Sequence, residues 1–190
     1  MRTLTIKSGG SDWEPGWKTL TISRAEYGTY PGEDGDRKFL DVYFNDYPDN
    51  LNMRVYETTG RDGEEFAIGQ IFRFANAGIT DVLEGNDGET VIKLDDDPKH
   101  LEGKHLNVFF HKDETGEYTR VLKQVAPTEF TNAVDTFTEK DVTYWRLKAE
   151  NYYKKYILKE DVTPSASTTV ELKREMNGSS SVVAEDAPPF

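Results

Sequence analysis

The chain has no cysteine, which excludes disulfides, thiolate metal ligands and cysteine nucleophiles together. Histidine is nearly as scarce. His100, His105 and His111 are the only three, and their spacing does not suggest a shared metal. No apolar run approaches the roughly 18 to 20 residues needed to cross a bilayer. The start, 1-MRTLTIKSGGSDW-13, lacks a continuous apolar stretch before a small-residue cleavage site, so a cytoplasmic location is expected. P-loop, G-x-S-x-G and H-E-x-x-H motifs are all missing. The run Asp95, Asp96, Asp97 is followed by Pro98 and reads as a solvated turn rather than a metal site. Neither a cofactor nor a catalytic role is expected. Positive charge is also short: 23 Lys and Arg stand against 35 Asp and Glu, a net charge of −12. Five acids and two bases beyond residue 160 account for −3, which leaves −9 on residues 1–160. Such a body repels a polyanion at long range, so any anion-binding face must be a local patch.

What is present is strand-like alternation. Residues 1–16, with Gly9, Gly10, Pro15 and Gly16, read as an irregular lead-in. In 17-WKTLTISR-24, Leu20 and Ile22 fall on one side. In 37-RKFLDVYFN-45, Leu40, Val42 and Phe44 point one way and Arg37, Phe39, Asp41 and Tyr43 the other. In 51-LNMRVYE-57, Leu51, Met53 and Val55 oppose Asn52, Arg54 and Tyr56. A period of two with one apolar side is the mark of a half-buried strand. The period then becomes helical over 64-EEFAIGQIFRFANAG-78, with Gly78 placed as a C-cap. Residues 79–102 are turn-rich, with a short strand at 90–94. Two further strands, 104–112 and 118–125, flank the turn at Gly116 and predict a hairpin. A second helix is predicted over 139–159, opened by Thr138 with Asp141 three residues on. Its stripe of Val142, Trp145, Ala149, Tyr152 and Tyr156 is expected to pack on the sheet, with a dimer or DNA contact as the alternative.

Strand, strand, strand, helix, strand, strand is the order of the OB-fold, a five-stranded Greek-key barrel that often holds oligonucleotides. The expected fold is therefore mainly β: an OB domain over 17–128, with its helix between strands three and four, and a C-terminal helix over 129–160 packed on or beside the barrel. From 161 to 190 the composition turns to Ser, Thr and Pro with few large apolar residues. A segment of that kind cannot offset the entropy of ordering its backbone, so a flexible acidic tail is expected.

The tail ends 182-VVAEDAPPF-190. A barrel-like body, a polar linker and an acidic tip ending in Pro-Phe resemble bacterial single-stranded DNA-binding proteins, and the plan is similar to that of bacteriophage members. The resemblance lies in Glu185, Asp186, Pro188, Pro189 and Phe190. It departs from the family in having two acids rather than a longer run and Pro188 in place of an aliphatic residue. It implies recruitment of replication or recombination proteins through the tip, in a phage-infected host cell.

Gripping single strands requires rings for base stacking and cations for phosphates on one surface. Alternation places Trp17, Arg37, Phe39, Tyr43, Arg54, Tyr56, His105, Phe109, His111, Tyr118 and Arg120 outward, with Lys38, Arg61, Lys104, Lys112 and Lys123 as a rim. Arg54 and Tyr56, next to the loop 58–65, are the centre of this set. The rival readings are an acidic protein-interaction module or DNA-mimicking inhibitor, and a metal-dependent nuclease using Asp95 to Asp97.

Overall fold

The computed structural model describes residues 13–32, 35–60, 65–84 and 90–160. The lead-in before residue 13, Arg61 and the whole tail with its tip therefore lie outside the described residues. The chain is mainly β, with one large sheet and two helices.

The sheet has five antiparallel strands in the spatial order β3-β2-β1-β6-β7. They are β1 (Gly16–Tyr30), β2 (Arg37–Phe44), β3 (Met53–Tyr56), β6 (His105–Lys112) and β7 (Thr119–Val121). Between β3 and β6 come helix α1 (Ala67–Phe74) and a separate two-stranded ribbon, β4 (Ile79–Glu84) with β5 (Thr90–Leu94). After β7 come the short hairpin β8 (Phe130–Thr131) and β9 (Thr136–Phe137), then α2 (Glu139–Tyr152). Among the described residues β3 and β7 do not pair, so the sheet is open along that line.

β1 is the longest strand because it serves two neighbours. Its first part, Gly16 to Thr21, pairs with β6, and its second, Ile22 to Tyr30, pairs with β2. A register shift between Ile22 and Arg24 separates the two; such a bulge bends and twists the strand. The predicted strand stopped at residue 24 because the bulge breaks the alternation there.

The inner faces are as the alternation predicts. Leu20, Ile22, Leu40, Val42, Phe44, Leu51, Met53 and Val55 are all buried. α1 closes this core with Ile68, Ile71, Phe72 and Phe74. The α1 N-terminus is held by Glu65, whose Oε1 accepts from the Ile68 amide at 2.8 Å and whose Oε2 accepts from the Gly69 amide at 2.9 Å.

Gly78 is not the helix cap. The helix ends at Phe74 with Ala75 as its C-cap, followed by Asn76 at a φ of 51°. Gly78 has a φ of 66°, and a Cβ there would lie 2.2 Å from the Asp95 carbonyl oxygen, so glycine is required where the chain enters the ribbon beside β5. β4, unlike β5, was not predicted: with most of its residues exposed it shows no one-sided apolar pattern.

α2 opens with the predicted capping box, in which the Thr138 amide donates to Asp141 Oδ2 at 2.7 Å. Val142 and Ala149 are buried, and the Trp145 ring meets Phe74 with centroids 4.8 Å apart. The helix thus packs inward through Val142, Trp145 and Ala149, as expected of that part of its stripe, whereas Tyr152 lines a cleft and Tyr156 is exposed. It then runs into a π-helical turn, Tyr153–Ile157. No helix among the described residues is long and apolar enough to cross a membrane.

Candidate nucleic-acid interface

The outer face of the sheet divides into two regions with different fates. Over β1 and β6 it is covered. The Trp17 indole N–H donates to Glu150 Oε1 at 2.7 Å, and its ring lies 5.3 Å from Phe109. The Tyr153 ring sits 5.4 Å from Phe109 and 5.0 Å from His111. His111 is 7% exposed and donates its Nδ1 proton to the Lys112 carbonyl. Beneath the helix, buried Asn107 accepts from Thr19 and Arg146 and donates to the Pro127 carbonyl. The sequence placed Trp17, Phe109 and His111 on an open binding face; their direction is right, but α2 occupies the space above them.

Over β1, β2 and β3 the outer face is free of helix. Cross-strand register sets three rows: Gly28, Phe39 and Tyr56; then Glu26, Asp41 and Arg54; then Arg24 and Tyr43. The Arg54 guanidinium lies 3.8 Å from the centre of the Phe39 ring. It also forks onto Asp41, with Nε to Oδ1 at 2.8 Å and Nη2 to Oδ2 at 2.6 Å. These bonds to Asp41 hold the Arg54 guanidinium above its already high ordinary pKa. Arg24 repeats the motif, 3.4 Å over Tyr43 and bonded to Glu26 and Asp49. The Tyr43 hydroxyl donates to Glu26 at 2.9 Å; that bond, with Arg24's, lowers the Glu26 pKa.

Phe39 was expected to be exposed and is 8% exposed: it lies under Arg54, edge-on to Tyr56, and over Gly28, where a Cβ would come 2.3 Å from its Cζ. The ring stacks an arginine rather than solvent. Asp41, with a side chain 6% exposed, is the anion that the sequence reading left without a role. Tyr56 and Arg37 remain exposed, and Arg37 pairs in register with Tyr30, 55% exposed.

The remaining candidates are scattered. His105 bonds Thr21 at 3.0 Å on an exposed strand end, Lys104 is half-buried beside it, and Lys38 is exposed at the start of β2 on the opposite parity to Arg37. None of these three joins the open face. Tyr118 is 60% exposed at the entry to β7, with the Arg120 guanidinium 5.9 Å from its ring.

The line where β3 and β7 fail to pair is a cleft. A cavity of about 290 Å3 opens there, lined by Asn50, Asn52 and Arg54 on one side and by Thr119 to Lys123 on the other. His111, Tyr152 and Ile157 also line it. Its lining contains Arg54, Arg120 and Lys123 and no Asp or Glu. Among the described residues neither Arg120 nor Lys123 makes an ion pair. The cleft brings together Arg54 and Arg120, which the sequence reading placed in one outward set. Lys123, taken as rim, lines it. Asn50, Asn52 and Tyr152 were missed as site residues. Tyr152 was placed on the packing stripe; it is the last residue of α2 and, half-buried, lines the cleft.

The acids of 95–97 are engaged locally. Asp95 is bonded by His100 at 3.0 Å, a contact that lowers its pKa. Asp96 accepts from the Tyr27 hydroxyl at 3.1 Å, and Asp97 accepts from the Lys99 amide. Among the described residues no group of three or more His, Asp or Glu side chains is placed to hold a metal ion. No protein-family model matches the chain, and no curated protein matches it.

Proposed function

We propose that this protein binds single-stranded DNA without strong sequence preference, in replication, recombination or repair, as a bacteriophage-type single-stranded DNA-binding protein. The observation that carries this reading is the cleft whose lining holds Arg54, Arg120 and Lys123 and no acid, with exposed Tyr56 two residues from Arg54 on β3 and exposed Tyr118 next to Thr119 at the start of β7. Phosphates need cations and bases need ring faces within one nucleotide's reach, and this edge offers both. The strand order, the long bent β1 and the helix between the third and fourth strands of the large sheet support an OB-type Greek-key arrangement, with the cleft where the barrel would close. On this reading the tip at Glu185, Asp186, Pro188, Pro189 and Phe190 recruits partner proteins, as its resemblance implies.

The test is the fluorescence anisotropy of labelled oligo(dT). Tryptophan quenching is a poor readout, because Trp17 lies against α2 and Trp145 packs on Phe74. Three phosphate contacts give a log–log salt slope of about −2, so a roughly fourfold rise in salt weakens binding about 20-fold. Arg120→Glu with Lys123→Glu should remove most of the affinity and flatten the slope. No binding at low salt, or binding that the double reversal leaves intact, overturns the proposal. Capture of a protein alone would favour an acidic interaction module instead.

A further inference from the structure

We propose that the C-terminal end of α2 is a second stacking subsite, at which a single strand leaving the cleft continues along the helix; this rests on the single-strand reading above. Helical spacing divides the three tyrosines of 152-YYKKY-156, since residues four apart share a side and adjacent ones do not. Tyr153 faces the sheet, against Phe109 and His111. Tyr152 and Tyr156 pack against each other instead, with centroids 4.8 Å apart and planes tilted by 43°. Tyr152 lines the cleft, and Tyr156 is 40% exposed, so the pair forms a step from the cleft to the surface.

Each ring has a cation beside it. The Lys123 ammonium is 5.9 Å from the Tyr152 ring and the Lys155 ammonium 5.0 Å from that of Tyr156. From 153 to 159 the chain holds Lys154, Lys155 and Lys159 and no acid. Lysines at a helix C-terminus also complement the negative end of its dipole, which is reason enough for their presence. The dipole gives no reason for an exposed tyrosine pair opening from a cationic cleft. An exposed ring is favourable where a planar ligand covers it, and alternating ring and ammonium groups match the alternation of base and phosphate.

The experiment uses the full chain and labelled oligo(dT) of two lengths, about 5 and about 15 nucleotides, within the site sizes typical of OB-type binders. Tyr156→Ala should weaken the long oligonucleotide by about 5- to 100-fold while leaving the short one unchanged, and Tyr156→Phe should restore it. Lys155→Ala should flatten the salt slope for the long oligonucleotide by about 0.7, the effect of losing one phosphate contact. Equal losses at both lengths, or none at either, overturn the subsite while single-strand binding by the wild type stands. A wild-type protein that binds neither oligonucleotide overturns both. Preference for oligo(rU) over oligo(dT) in the Tyr156-dependent increment would overturn the assignment of DNA as its ligand.

Discussion

Replacing Arg54 with methionine separates a packing role from a binding role. In the folded protein its Nε and Nη2 are spent on Asp41, while the same side chain lines the cleft in which the proposed ligand's phosphates would sit. Arg54→Met strands the buried Asp41 carboxylate, at a cost of about 1–3 kcal/mol. It also uncovers Phe39, a loss of about 0.5–1 kcal/mol at a partly exposed site. The Arg54 side chain is 42% exposed, so solvent screens part of the ionic contribution and the lower half of the range applies. A total near 2 kcal/mol lowers the melting temperature by about 4–8 °C for a body of this size. Asp41→Leu added to Arg54→Met removes the orphaned charge, and replacing both members of such a pair with apolar groups is close to neutral. Thermal melts should therefore show most of the loss recovered in the double variant. Oligo(dT) anisotropy should show no recovery: affinity stays about tenfold down and the salt slope flatter by about 0.7. If the double variant binds like wild type, Arg54 is only a clamp on Phe39 and the cleft is not where phosphates sit.

Two further perturbations probe the scaffold. Gly28→Ala would place a methyl group 2.3 Å from Phe39 Cζ, and the ring cannot yield freely between Arg54 and Tyr56. A loss of about 1–3 kcal/mol in denaturant melts is expected, and an unchanged midpoint would mean that the ring is not held there. Tyr27 has its pKa raised, first by burial and then by Asp96. A phenol that keeps its proton longer in the folded state contributes stability that is fully present below the ordinary value of 10.0 and is lost as pH rises through the folded value. Melts taken at increasing pH above that point should fall more steeply for the wild type than for Tyr27→Phe; parallel curves would refute this.

Much of the sheet was legible because its strands alternate aliphatic or phenylalanine side chains on the inner face with polar, charged and aromatic ones on the other. The alternation in 37–45, 51–57 and 104–112 assigned inward residues that the core confirms, since side chains in a strand change face at every step. The second half of β1 was not legible, because the bulge between Ile22 and Arg24 resets the phase and 24-RAEYGTY-30 has no apolar side of its own. As a result Arg24, which stacks on Tyr43 as Arg54 does on Phe39, was missed. At the site the direction of each side chain could be read but not what covers it. Trp17 meets Glu150 across 133 positions of sequence, and no local pattern reports a contact of that span. A register argument identifies a face; only the packing of α2 decides which half of it stays open.

The acids of this negatively charged body are placed where they spare the cleft proposed to hold single-stranded DNA. Asp41, Glu26 and Asp49 are tied to Arg54 and Arg24. Glu57, Glu65 and Asp96 lie near enough to Tyr27 to raise its pKa, and none of them lines the cleft. At physiological salt a charge is largely screened beyond about 8 Å, so on the single-strand reading a phosphate inside the cleft interacts chiefly with Arg120 and Lys123, since Asp41 offsets much of the Arg54 charge and Asp113 part of that of Arg120. A phosphate outside it meets a body carrying −9 over residues 1–160. A flexible strand can lay its backbone along the narrow cationic line and turn its bases onto the adjoining rings. A duplex can do neither, because its two backbones are wide apart and its bases already stacked, so much of its charge would face carboxylates. On the single-strand reading, the acidity of the body therefore works against duplex DNA more than against the proposed ligand.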